Sequence, residues 1–162
     1  MNIFSEFKEI YLEEIIDLIL FVQNNEFQLN ISIAEQPDIL DIQANYLNDG
    51  GNFWVALNEK SEVIGTIGLQ KKTDDSFILK KFFVYADYRG VEFSIGQGLF
   101  DKLLEYAQQQ GAKAIFLDTP SIAKRSHQFY KKNGFKLINE DELPISYDYP
   151  DRNSLLYRLD LI

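Results

Sequence analysis

Between Phe53 and Ala86 the chain repeats one pattern three times. The runs "FWVAL", "EVIGTIGLQKK" and "FILKKFFVYA" are rich in β-branched and aromatic residues, and the polar clusters "NEKS" and "TDDS" separate them. Runs of this kind, joined by short turns, predict strands paired as antiparallel hairpins. Three such strands in succession commit the chain to a sheet, and the segments on either side must pack against it.

Ahead of the strands, Leu12, Ile15, Ile16, Ile19 and Leu20 recur at helical spacing and predict a helix from about Tyr11 to Asn24. A second helix is expected to start near Pro37, a good first-turn residue, and to end at "NDGG", Asn48 to Gly51. Beyond the strands, Ile95, Leu99, Leu103 and Tyr106, flanked by Phe100, Leu104 and Ala107, form a wide apolar stripe that stops at Gly111. "KAIFLDT" reads as a buried strand, "SIAKRSHQFYKKNG" as a helix ended by Gly134, and "FKLINE" with "SLLYRLDL" as a last strand pair. Without repeats, low-complexity stretches or a linker, residues 1–162 read as one α+β domain with a mixed sheet.

Composition narrows the chemistry. The net charge of −9 speaks against a grip on a phosphate backbone, which needs clustered Lys and Arg, so no nucleic-acid partner is expected. The absence of cysteine removes thiolate nucleophiles and Cys-ligated zinc, and the single histidine, His127, makes a metal site or a Ser-His triad improbable. The most apolar stretch, "IIDLILFV", is short and broken by Asp17, and the N-terminus has neither a basic nor an apolar leader region. The expectation is a cytoplasmic protein without metal or membrane association. Glu13, Glu14, Asp17 and Glu26 along the first helix suggest attraction of a cationic amine.

The most informative stretch is "YRGVEFSIGQGLF", Tyr88 to Phe100, with Gly90, Gly96 and Gly98 at the start of a helix. Glycine inside a helix costs about 1 kcal/mol against alanine, so these positions suggest that something approaches the backbone closely. A helix N-terminus with unpaired N–H groups is an anion site. Ser94 and Gln97 have the spacing of a capping box, which would leave the amides of Ile95 and Gly96 free, and Arg89 can add charge-assisted hydrogen bonds. The alternative is that Gly90 makes a turn and Gly96 and Gly98 permit close helix packing. A P-loop is excluded because Gln97 follows Gly96, and a dinucleotide fingerprint lacks its third glycine, where Asp101 stands.

A second motif, "SHQFYKKNGF", Ser126 to Phe135, lies one strand further on. Together with "FFVYADYRG" it resembles the GCN5-related N-acetyltransferase (GNAT) family: a strand ending in an Arg-Gly loop with further glycines, a helix, a strand, and a helix carrying Phe-Tyr before Gly-Phe. "QNNEF", "EQPDI" and "GGNFWVA" resemble a bacterial subgroup of that family. The loop departs from the usual Arg-Gly-x-Gly-x-Gly spacing by two additional residues between Arg89 and Gly96, with Ser94 in place of the middle glycine and Glu92 nearby.

The resemblance implies a mostly antiparallel sheet flanked by helices, with a splayed central strand pair, and an acetyl-CoA-dependent transfer to a primary amine by direct attack. Phe82, Phe83 and Val84 would pair with the pantetheine amides as an added strand does. The diphosphate would lie on Arg89, Gly90, Ser94, Ile95, Gly96 and Gln97, and Tyr130 would protonate the departing thiolate. Glu26 with Gln23, at the end of the first helix, are the candidates for deprotonating the amine, with Glu35 as a substitute; Lys131 and Lys132 are candidates for an adenosine phosphate. The acceptor would be a small molecule or a peptide amine, and a homodimer stays open. The competing reading is a degenerate sensor that binds acyl-CoA or an amine without turnover.

Overall fold

The computed structural model describes residues 3–146 and 153–161, and for residues 90–93 the backbone alone. Its centre is the predicted hairpin series: β2 (Asn52–Leu57), β3 (Val63–Lys71) and β4 (Ser76–Val84). Before them come β1 (Ile3–Glu6) and helix α1 (Leu12–Phe21). After them come α2 (Glu92–Gln109), β5 (Ala114–Pro120), α3 (Lys124–Lys132), β6 (Lys136–Ile138) and β7 (Ser154–Asp160). The strands form one seven-stranded sheet in the order β1-β2-β3-β4-β5-β7-β6. Among the described residues only β4 and β5 pair in parallel, across the connection that contains α2; the other pairs are antiparallel.

Strand period divides the core into two layers. Along β2, Phe53, Val55 and Leu57 pack with Ile15, Leu18 and Ile19 of α1, while Trp54 and Ala56 pack with Leu99 and Leu103 of α2. All six β2 residues are buried. Each fully covered Leu, Ile or Phe contributes about 1.5–3 kcal/mol, so this doubly covered strand is a principal anchor of the fold.

Three expectations change. "IFSE" near the N-terminus is an edge strand, paired with β2 from Ile3↔Leu57 to Glu6↔Trp54. The second helix is instead two short turns, a 3-10 turn at Pro37–Leu40 and a π turn at Gln43–Leu47; Asp41, at φ −143° and ψ 81°, breaks the helical path before Ile42 returns to it. Finally, α2 begins at Glu92, so Ser94 lies within its first turn rather than at its cap. The Gln97 amide donates to Asp101 Oδ1 at 2.9 Å and Asn133 Oδ1 at 3.0 Å instead of closing a capping box.

Gly98 is a packing glycine. A Cβ there would lie 2.2 Å from the Phe4 ring, so its absence lets β1 dock against α2.

Candidate functional site

Strands β4 and β5 pair only at Ser76↔Ala114, Phe77↔Ile115 and Ile78↔Phe116. Beyond those residues β4 stays with β3 as far as Val84, and β5 stays with β7 as far as Pro120. Two strands that separate while each keeps its outer partner leave a slot bordered by strand edges. The predicted splay is this slot.

A bulge in β4 shapes one wall. Thr66 faces Phe83 and Gly68 faces Lys80, so the register slips by one around Lys81. Lys81 takes up the slip in the left-handed region, at φ 55°, a conformation that costs a non-glycine residue about 1–2 kcal/mol. The Thr66 hydroxyl donates to the Lys81 carbonyl at 2.7 Å and helps hold the bulge.

The slot opens into a cavity of about 350 Å³. Leu79–Val84 of β4 form one side and Asp118–Pro120 of β5 the other, with Tyr130 and Phe129 of α3 on the wall. Val22 and Gln23, from the π turn that continues α1, and Phe27 with Ile31 beyond it cover the opening. That cover is tied down: Gln23 and Gln36 exchange reciprocal amide hydrogen bonds, both 2.8 Å, in the buried interior, and Asn24 brackets Ile31 with bonds to its N–H and C=O.

Of the sequence-predicted residues, Phe82, Phe83, Val84, Arg89, Gly96 and Tyr130 all line this cavity. Gly90 and Glu92 fall among the positions described by backbone alone. Ile95 is 1% exposed and belongs to the core, and because α2 already starts at Glu92 the N–H groups of Ile95 and Gly96 fall within the helix's own i→i−4 ladder rather than being free as expected, while Ser94 is exposed. Arg89 does not project freely: Nη1 and Nη2 bind the two Glu26 oxygens at 2.5 and 2.9 Å, and Nε donates to the Val84 carbonyl at 3.0 Å. Expected in different roles, Arg89 and Glu26 are brought together. Glu35 sits apart, closing a capping box with Ser32.

Tyr130 is 5% exposed and packed among Phe82, Phe129, Phe135 and Tyr157. Its hydroxyl has no hydrogen-bond partner among the described residues. Burial raises its pKa well above the ordinary tyrosine value, and the charge of Asp118 and then Tyr157 push the same way. A buried phenol without a partner carries the full cost of desolvation, and a ligand atom able to accept its hydrogen bond relieves that cost. His127, by contrast, is not among the residues lining the cavity: its Nε2 lies 2.9 Å from the Pro120 carbonyl and it is buried.

Sequence reasoning missed the cavity's charge. Lys80, Lys81, Arg89, Lys124 and Arg125 line it against one acid, Asp118, so a chain that is acidic overall presents a cationic cleft. The acidic residues expected to draw a cationic acceptor stand elsewhere. Glu14 accepts the Val63 N–H at 3.2 Å and, with Asp17, borders a separate hollow beside Tyr85 and Tyr88, while Glu26 is engaged by Arg89. A signal was present in "FILKKFFV": two lysines interrupting an otherwise apolar strand need a polar cavity to face. No group of His, Cys, Asp and Glu side chains among the described residues is arranged to hold a metal ion.

Comparison with known proteins places this geometry. The model of the Acetyltransferase (GNAT) family matches residues 16–135. The structure of an acetyltransferase from Streptococcus agalactiae is 41% identical and superposes with a TM-score of 0.93 over 99% of this chain and 98% of that one. A GNAT-family acetyltransferase from Staphylococcus aureus is 36% identical, with a TM-score of 0.95 over the whole of both chains. Among curated proteins, "Probable N-acetyltransferase camello" of Xenopus tropicalis is 32% identical over 85% of this chain, which spans 63% of that protein's length.

Proposed function

The chain belongs to the GNAT acetyltransferase family, and from that premise we propose that it transfers an acetyl group from acetyl-CoA to a primary amine. The observation that carries the reading is the slot between β4 and β5, with the Tyr130 hydroxyl, unpartnered among the described residues, on its wall. An extended, amide-bearing pantetheine fits a gap between strand edges, where Phe82, Phe83 and Val84 would pair with it. The diphosphate would lie toward the first turns of α2, near Arg89, Gly90, Ser94, Ile95, Gly96 and Gln97. The cationic lining suits a polyanionic cosubstrate. A protein of the same fold at 16% identity, the PaiA N-acetyltransferase of Thermoplasma acidophilum, was solved in complex with coenzyme A.

In this reading the amine nitrogen attacks the thioester carbonyl carbon, the carbon–sulfur bond breaks, and sulfur leaves with the electron pair. Tyr130, held neutral by burial, donates its proton to that sulfur. The amine must lose a proton, and Glu26 is the candidate acceptor for it. Because Arg89 occupies both Glu26 oxygens, Glu26 takes that role only after Arg89 turns toward the diphosphate. Since Glu26 does not itself line the cavity and Arg89 lies beyond the C-terminal end of β4, the freed carboxylate would also have to swing toward the thioester end of the slot.

Two measurements test the proposal. Acetyl-CoA should raise the melting temperature of the protein where NAD does not, since a ligand of the native state stabilises by mass action. Thiol release across a panel of amines should then reveal turnover. Binding without any turnover would leave a sensor, and no binding at millimolar acetyl-CoA would refute the reading.

A further inference from the structure

We infer that Lys81 is the residue that selects the acceptor, binding the carboxylate of an amino acid or amino-acid derivative whose amine receives the acetyl group. The inference rests on the acetyltransferase reading above and adds the substrate class.

The first support is an unsatisfied cation. The Lys81 side chain is 7% exposed and lines the cavity, yet its partner among the described residues is Asp38 Oδ2, at 3.7 Å. That separation is beyond hydrogen-bonding range. The same oxygen already accepts the Tyr46 hydroxyl at 2.5 Å. Desolvation lowers the pKa of Lys81 and the neighbouring Lys80 adds to the shift, while Asp38 and then Asp118 oppose it. Three ammonium donors therefore face the cavity with Asp38 at 3.7 Å and the charge of Asp118 nearby, and neither carboxylate gives them a short hydrogen bond among the described residues. Buried cations call for hydrogen-bonded anions, and a ligand carboxylate supplies two acceptor oxygens.

The second support is position along β4. Arg89 and the start of α2 lie beyond the C-terminal end of this strand, so a pantetheine laid along Val84, Phe83 and Phe82 runs away from its phosphates toward Lys81. Lys81 is the next residue, at the thioester end, where an acceptor must enter. The bulge turns its side chain, and the segment carrying Asp38 meets it there, held by the Gln23–Gln36 amide pair. A carboxylate seated on Lys81 tethers the acceptor near the slot and leaves its amine free to reach the thioester.

The third support is exclusion. With Arg89 paired to Glu26 and Lys81 beside Asp38, a polyamine or another acceptor with only positive charge would still meet Lys80, Lys124 and Arg125 against the lining acid Asp118. Like charges in a desolvated site disfavour that ligand strongly.

The test is a melting comparison that needs no turnover. Coenzyme A is added first, followed by amino acids, each beside its carboxamide, to the wild type, Lys81→Met and Lys81→Arg. At least one amino acid should raise the melting temperature beyond coenzyme A alone, with its carboxamide roughly 10- to 100-fold weaker, the ratio expected for a lost charge-assisted hydrogen bond. Lys81→Met should abolish that preference and Lys81→Arg should keep part of it. The coenzyme A shift itself reports that each variant is folded. Equal effects of acids and amides, or a preference that survives in Lys81→Met, overturns the inference. So does acetylation of Lys81 itself, seen by intact mass and peptide mapping after incubation with acetyl-CoA, because the residue would then be the acceptor. A wild type that coenzyme A fails to stabilise refutes the acetyltransferase reading instead, and is distinguishable by that first step.

Discussion

Glu26 and Arg89, 63 residues apart in the chain, form a two-point ion pair in which each carboxylate oxygen meets a separate guanidinium nitrogen, at 2.5 and 2.9 Å. The pair fastens the end of the first helical segment to the turn that leads into α2. With side chains 18% and 23% exposed, it is partly shielded from water, and its planar geometry makes it stronger than a surface contact.

Glu26→Gln is expected to lower the melting temperature by several degrees. Hydrogen bonds to charged groups contribute about 1.5–3 kcal/mol, and a chain of this size loses roughly 2–4 °C per kcal/mol. Acetyl-CoA should bind the variant at least as tightly, because Arg89 no longer has to leave a carboxylate. If Glu26 is the base, turnover falls about 100-fold or more. Unchanged turnover with reduced stability would leave Glu26 as a strut.

Tyr130→Phe removes a hydroxyl and retains the ring that packs against Phe82 and Phe135. Turnover should fall about 100- to 10,000-fold with little change in acetyl-CoA affinity. The acid form is the active one, and burial raises its pKa above the ordinary 10.0, so loss of this proton should not reduce the rate below about pH 10. A basic limb at lower pH that persists in the phenylalanine variant belongs to another group.

The two glycines of α2 should separate cleanly. Gly96 lines the cavity, and Gly96→Val should weaken acetyl-CoA binding. Gly98→Ala should instead reduce stability by about 1–3 kcal/mol, the usual cost of overpacking, because its methyl group meets the Phe4 ring. Restoring the melting temperature by adding Phe4→Leu would identify that contact as the cause; a Gly98→Ala variant as stable as the parent would refute it.

His127 predicts an acid sensitivity. Burial lowers its pKa below the ordinary 6.5, outweighing the Pro120 carbonyl that favours the charged form. Below pH 6.5 the unfolded chain takes up a proton that the folded chain resists, so stability should fall as pH drops from about 6.5 toward the depressed folded value. His127→Gln should flatten that part of a melting-temperature curve. An unchanged slope would assign the acid loss to carboxylates.

How much of this was readable beforehand follows from the range of the interactions. β2, β3 and β4 declared themselves because alternation and turn chemistry are local. β1 did not: four residues carry little pattern, and their partners lie around Val55, 50 positions from Ser5. The turns around Pro37 read as a helix because Pro37 suits a first helical turn and "NDGG" a helix end, whereas the conformation at Asp41 and the Tyr46–Asp38 hydrogen bond break it. Tyr130 and Arg89 were visible through their motifs, but the Glu26 pairing was not, since nothing local records a contact across 63 residues. Lys81 was overlooked because a strand pattern gives no notice of a bulge.

The short ladder between β4 and β5 has a mechanical consequence. Three residue pairs join the strands from β1 to β4 to the group formed by β5, β7 and β6, and the rest of the seam is open. A strand-like ligand lying there would continue the ladder where the protein stops it. Amide hydrogens flanking the seam, from Leu79 to Val84 and from Leu117 to Thr119, should then exchange more slowly with solvent once it is filled. The cosubstrate would act as a temporary eighth strand, so that each turnover completes the sheet and its release reopens it.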